Sequence, residues 1–232
     1  MTEDKNMFSA LFKKRIQNEI TKMTKNPILN IDFCPDEDDL HNWYFCICGE
    51  DPDTPYYGGY YIGNIKLLPS YPVDPLDFYF LTPNGRFQTN HKICLTITSY
   101  HRDTWSSVWN IQTATSALAS IMNSDSDAGV AHIVCSMSER RKLAADSTKY
   151  NMANHMDILL KFKRFVKYDD KGNFLRMKTL DEIKAEMPVT SKPIPKIDLS
   201  AIETKKDSAE DISDILSEIK KSEKSVHPTH RK

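Results

Sequence analysis

Glycine is scarce in this sequence, at seven residues in 232, and proline supplies only twelve. That composition excludes collagen-like repeats and flexible low-complexity chains. No run approaches the roughly 20 apolar residues that span a bilayer, and residues 1–14 carry charge where a secretory signal needs an apolar stretch. Neither charge sign is in excess: 31 Lys plus Arg stand against 32 Asp plus Glu, a formal net charge of -1. No global positive field therefore draws in nucleic acid or an anionic lipid surface. Five cysteines are an odd number for a disulfide framework, which points to a reducing compartment, cytoplasmic or nuclear. What is present is ordinary globular material. With 40% hydrophobic and 10% aromatic residues, the chain has enough for one core or two small ones.

Met7, Phe8, Leu11, Phe12, Ile16, Ile20 and Met23 recur at three and four, the spacing of one helix face, with Lys13, Lys14, Arg15 and Glu19 directed outward. Asn26-Pro27 stops that helix. Three strands follow, at 43–48, 60–68 and 77–81, where Trp43, Phe45 and Ile47 alternate with Tyr44, Cys46 and Cys48. Their short connections fit an antiparallel meander, because a doubly wound parallel sheet needs a helix between each pair. After the turn signal Thr82-Pro83-Asn84-Gly85, Ile93, Leu95 and Ile97 alternate around Cys94, which places that thiol away from the apolar face. Ile111, Ala114, Leu118, Ile121 and Met122 have helical spacing, and a long helical stretch is expected over about 137–166. Trp43 and Trp109 are assigned to the core. Residues 175–232 contain no aromatic and mix both charge signs, so a charged, largely disordered tail is expected over 168–232 behind a core at 5–167. Within the tail, Ser208-x-x-Asp211 opens a short amphipathic pattern at 208–221 that fits a docking helix or a transient one.

In this order the chain resembles the ubiquitin-conjugating enzymes. The resemblance rests on Thr54-Pro55-Tyr56-Tyr57-Gly58-Gly59, Ser70-Tyr71-Pro72-Val73-Asp74-Pro75, Ile93-Cys94-Leu95, and Trp105 a short distance after the cysteine. It covers about 8–165. The form Thr82-Pro83-Asn84-Gly85-Arg86-Phe87 and the segment from Ser99 to Trp105 look most like the branch whose members are tail-anchored in the endoplasmic reticulum membrane. Some members of that branch modify hydroxyl side chains as well as lysines. The resemblance implies an α+β fold: a four-stranded antiparallel meander sheet flanked by an N-terminal helix and C-terminal helices. It also implies a carrier that accepts ubiquitin as a thioester and passes it to substrate amines or hydroxyls. Its partners would be ubiquitin, the activating enzyme, a ubiquitin ligase and protein substrates. No cofactor is implied, since ATP belongs to the activating enzyme. Unlike the anchored relatives, 220–232 is polar, so no membrane anchor is expected.

A thiolate is both a good nucleophile and a good leaving group, and the resemblance makes Cys94 the nucleophile. Asn84 is the amide candidate for oxyanion and loop support, although an Asn-Gly pair also serves simply as a turn; Asn90 is the fallback. Thr82 stands where the commonest family pattern has His. His101, Asp103, Asp125 and Asp127 are candidates for helping the acceptor lose its proton. His91, three residues before Cys94, would face the opposite side of a strand, against a Cys-His hydrolase dyad. Ligase docking is implied for Lys13, Lys14, Val73, Trp105, Ser107 and Val108, with Ser107 where many relatives have Pro. Cys34, Cys46, Cys48 and Cys135 read as small buried hydrophobes. A zinc set of His41, Cys34, Cys46 and Cys48 lacks the usual paired spacing, so no metal site is expected. The rival reading is a non-catalytic ubiquitin-binding variant of the same fold, but such variants lack the cysteine.

Overall fold

The structure, a computed structural model, describes residues 2–124 and 129–188. Helix α1 (Thr2–Lys25) ends at Asn26-Pro27 and buries Phe12 and Ile16. Two residues depart from the helical-wheel expectation: Leu11 is 55% exposed, and Glu19 is buried at 5%. The reason is polar satisfaction from elsewhere in the fold. The Glu19 carboxylate accepts from Tyr71 Oη at 2.7 Å and from the backbone N–H of Ile111 at 2.9 Å, and pairs with Arg15. A buried carboxylate survives because each oxygen has a donor.

Strands β1 (Ile31–Pro35), β2 (Asn42–Cys48), β3 (Tyr60–Leu67) and β4 (Leu76–Phe80) form one antiparallel sheet in sequence order. This is the expected four-stranded meander. On one face Trp43, Phe45, Ile65, Phe78 and Phe80 are buried, with the Phe45 ring edge-on to both Phe78 and Phe80. Gly63 faces Phe45 because any Cβ there would lie 2.1 Å from that ring. Helix α2 (Ile111–Met122) is opened by a capping box between Asn110 and Thr113 and contributes Ile111, Ala114 and Leu118 to the core.

The expected helix over 137–166 is in fact two helices and a strand. Helix α3 (Met137–Asn154) stops at His155, a four-residue helix α4 (Met156–Leu159) follows, and the chain enters strand β5 (Val166–Tyr168). The expected domain boundary at 167 thus falls inside β5. Strand β5 pairs with β6 (Phe174–Met177), and helix α5 (Leu180–Ala185) carries Ile183, which is 2% exposed. Ile158, Leu159, Phe162, Phe165, Val166 and Ile183 cluster with Cys46, Cys48, Tyr60 and Ile62 of the other sheet face. Residues 168–188 are therefore part of the folded body. Aromatic scarcity was a poor guide because α5 is seated by buried Ile183, with Leu180 and Met177 packed against the same cluster and a Thr179–Glu182 capping box at its start. The amphipathic pattern at 208–221 lies outside the described residues, as do Asp125 and Asp127. Trp43 is a core residue at 1% exposure, whereas Trp109 is only half-buried.

Among the described residues no helix is long and apolar enough to cross a membrane, and no group of three or more His, Cys, Asp or Glu side chains is placed to hold a metal ion. Within the zinc set weighed above, His41 stacks on Phe12 at 4.2 Å and Cys46 is enclosed in the core cluster.

Candidate active site

The segment 89–98 carries Cys94, the expected nucleophile, and runs along the outer edge of β4. The amide of Asn90 donates to Phe80 C=O at 2.8 Å, that of Ile93 donates to Phe78 C=O at 3.0 Å, and Thr98 bridges to Leu76. It is not a strand, although Ile93, Leu95 and Ile97 are buried as their alternation implies. Buried Thr98 closes it into a turn: its hydroxyl donates to Leu95 C=O at 2.8 Å and accepts from the Leu95 amide at 3.1 Å. A 3₁₀ turn at Ser99–His101 follows. The chain reverses there, and His101 Nε2 comes to 3.3 Å from Cys94 Sγ. Cys94 is half-buried, its amide donating to Val130 C=O at 3.2 Å.

Of the other acceptor-activating candidates, Asp103 is exposed. His91 is exposed and its Nδ1 lies 2.9 Å from Thr89 C=O. The seven-residue separation between Cys94 and His101 has no strand or helix period, so only the turn made by Thr98 could reveal this contact.

Asn84 is fully buried. Its Oδ1 accepts from the amides of Arg86 at 2.9 Å and Phe87 at 2.8 Å, and its Nδ2 donates to Thr82 C=O at 3.2 Å. These bonds shape the loop, and the amide donor points to Thr82. Gly85 takes φ +75°, and a Cβ there would approach Arg140 Cγ at 2.8 Å, so the glycine follows from the turn and the packing together. Thr82 is also committed. Its hydroxyl accepts from the Ile62 amide at 2.9 Å and donates to Asn151 Oδ1 at 2.6 Å, while Asn151 Nδ2 donates to Tyr60 C=O at 2.8 Å. A threonine at this place thus ties β3 to α3. Arg86 and Arg140, two anchors not foreseen from the sequence, hold the loop through Ser124 C=O at 3.0 Å and Gly85 C=O at 3.1 Å.

Arg15 ties the first helix to the loop after the cysteine, where the expected docking residues Ser107 and Val108 lie. Its guanidinium donates to the carbonyls of Ser107 at 3.1 Å and Trp109 at 2.7 Å and lies 5.6 Å from the Tyr71 ring centre. Trp105 Nε1 donates to Pro72 C=O at 2.9 Å. The first helix, the proline-rich loop and the loop after the cysteine thus form one surface, with Lys13 and Lys14 exposed, Val73 68% exposed and Val108 81% exposed. Burial pushes the Cys46 thiol well above its ordinary value, and the Cys48 thiol up to about 11. Neither is suited to act as a thiolate near neutral pH.

Residues 15–151 match the family described as ubiquitin-conjugating enzyme. The chain is 35% identical over 153 residues to "Ubiquitin-conjugating enzyme E2 6" of Schizosaccharomyces pombe, covering 66% of this chain and 66% of that protein. It is 38% identical over 145 residues to the protein of the same name from Eremothecium gossypii, covering 62% and 59%. A third relative, "Ubiquitin-conjugating enzyme E2 J2-like" of Dictyostelium discoideum, is 36% identical over 140 residues, covering 60% and 81%. The matches thus span somewhat under two thirds of the two fungal relatives. They bear out the family resemblance and the branch drawn from the Thr82 to Phe87 form and the Ser99 to Trp105 segment. With the meander sheet, the cysteine segment on its edge and the matched span in agreement, the chain belongs to the ubiquitin-conjugating enzyme family.

Proposed function

We propose that this protein is a ubiquitin carrier that forms a thioester on Cys94 and passes ubiquitin to substrate amines or hydroxyls, with a ligase docked on the surface of α1, the proline-rich loop and the loop after the cysteine. The observation that supports this most directly is the 3.3 Å contact between Cys94 Sγ and His101 Nε2, at a half-buried thiol held on the edge of β4.

In the first step the Cys94 thiolate attacks the carbonyl carbon of the ubiquitin thioester on the activating enzyme. A new C–S bond forms, the old one breaks, and the activating enzyme's thiolate leaves with the electron pair. In the second step an acceptor amine or hydroxyl attacks the carbonyl on Cys94. His101 Nε2 takes the acceptor's proton and the Cys94 thiolate leaves. Such a positioned base contributes roughly 10²–10⁴-fold. The need is greater for a hydroxyl, whose proton must be lost as it attacks. Asn84 supports the step by holding the Thr82 to Phe87 loop in shape, and Asp103 lies in the same exposed loop as a weaker acceptor-side group. Lys13, Lys14, Val73, Trp105, Ser107 and Val108 form the ligase side.

The test is a charging reaction with activating enzyme, ATP and ubiquitin, run without reductant. The wild type should give a thiol-sensitive adduct, Cys94→Ser a thiol-resistant ester, and Cys94→Ala none. No adduct under conditions that charge a control enzyme would refute the carrier reading. His101→Gln should charge normally and discharge to free serine or lysine on the order of 10²-fold more slowly; an unchanged discharge rate would remove His101 from the mechanism.

A further inference from the structure

Two arms lead into the Cys94–His101 contact, and one buried carboxylate holds both. Lys92 stands two residues before Cys94, and Ser99 two residues before His101. Asp77, on β4 and 4% exposed, has Oδ2 at 3.0 Å from Lys92 Nζ and accepts there from Ser99 Oγ at 3.0 Å. Its Oδ1 accepts from the Ser99 backbone N–H at 3.1 Å. Lys92 Nζ also donates to Ser99 Oγ and sits 4.5 Å from the centre of the Tyr100 ring. The result is a closed polar cluster of carboxylate, ammonium, hydroxyl and amide.

We infer that Asp77 is a positioning residue for ubiquitin transfer, anchoring Lys92 and Ser99 to the sheet so that Cys94 Sγ and His101 Nε2 stay in contact. The inference rests on the role given above to His101 and extends it to a residue that touches neither reacting atom. The turn between the two arms is shaped by Thr98, whose hydroxyl bonds to Ile93 and Leu95 within the loop while its backbone bridges to Leu76. Thr98 fixes the curvature of the turn; Asp77 fixes where its two ends stand relative to β4 and to each other. The thiol–imidazole distance has little room to change. A displacement of about 1 Å at a reacting group costs on the order of 10²-fold. The cluster also explains an acidic residue in the run Leu76-Asp77-Phe78-Tyr79-Phe80, where an unpaired charge would be costly.

The experiment measures single-turnover discharge of the charged full-length protein to free serine across a range of serine concentrations. The proteins are wild type, Asp77→Asn, Ser99→Ala, His101→Gln and the two double variants with His101→Gln. Asp77→Asn should lower the limiting rate 10- to 100-fold while leaving the serine concentration for half-maximal rate unchanged. In the His101→Gln background it should change the rate less than twofold. Ser99→Ala keeps the ion pair and the Ser99 amide bond, so it should give a smaller loss with the same dependence on His101; it carries the test if Asp77→Asn melts below the assay temperature. An unchanged limiting rate in both Asp77→Asn and Ser99→Ala would overturn the inference. So would an equal loss with and without His101, which would mark a structural effect. If His101→Gln itself discharges like wild type, the underlying role of His101 fails, a result the single variant reads separately.

Discussion

Replacing Ile183 by alanine tests whether the folded body reaches into α5. Ile183 is 2% exposed and packs in the cluster with Cys46, Cys48, Tyr60, Ile62 and Phe165. The substitution removes three carbons, worth about 0.8 kcal/mol each in transfer free energy, or roughly 2.4 kcal/mol before any cavity remains. A residual cavity brings the cost within the range of about 2–5 kcal/mol seen for such truncations. For a domain of this size each kcal/mol lowers Tm by about 2–4 °C, so thermal unfolding followed by circular dichroism should show a fall of roughly 4–20 °C. Leu175→Ala, two residues into β6 at 55% exposure, is the internal control and should stay within about 0.5 kcal/mol of wild type. If the two variants melt together within a degree of wild type, α5 is not seated on the sheet and the argument for a body extending past 167 is wrong.

Two further results are expected. Thr82→Ala leaves the Ile62 amide and Asn151 Oδ1 without the hydroxyl that joins them, at a cost of about 1–3 kcal/mol. Asn151→Ala should cost a similar amount and the double variant clearly less than the sum, as chemical denaturation of the four proteins would read. Glu182 is held well below the ordinary carboxylate range, chiefly by its side-chain bonds to Arg176 and then by the Thr179 amide. A depressed folded-state value means a contribution present above the ordinary glutamate pKa of about 4.3 and lost as pH falls below it. The Tm gap between wild type and Glu182→Gln should therefore be present at pH 7 and shrink toward pH 3; a gap that widens on acidification would reverse the sign and refute the assignment.

The sheet was legible where alternation was clean, as at Trp43, Phe45 and Ile47, and the helices where apolar residues recur at three and four. Strand β1 was not read from periodicity, because Asp32 and Pro35 interrupt a five-residue run; only the family resemblance supplied the fourth strand. Glu19 was misplaced for a similar reason: a helical wheel sends a carboxylate outward, and the donors that draw it in, Tyr71 and the first amide of α2, lie 52 and 92 residues away. The tail boundary failed because composition was averaged over 175–232, which hides a single well-buried isoleucine. Within the candidate site, Cys94 and Asn84 stood out through their motifs, and His101 was marked only by nearness in sequence. Asp77 left one signal that went unused, an acid set between Leu76 and Phe78 in an otherwise apolar strand.

An outermost strand exposes a row of unpaired amides and carbonyls, a template on which another chain can add itself. Strand β4 is such a strand, and what covers its rim is the segment 89–98 bearing Cys94. At the opposite rim the Arg164 guanidinium takes the carbonyls of Ile28 and Ile31. The segment that bears Cys94 therefore also covers an edge on which another chain could pair. Loosening it would uncover a sticky border at the same moment, so the setting of Cys94 and colloidal solubility are bound to one stretch of ten residues.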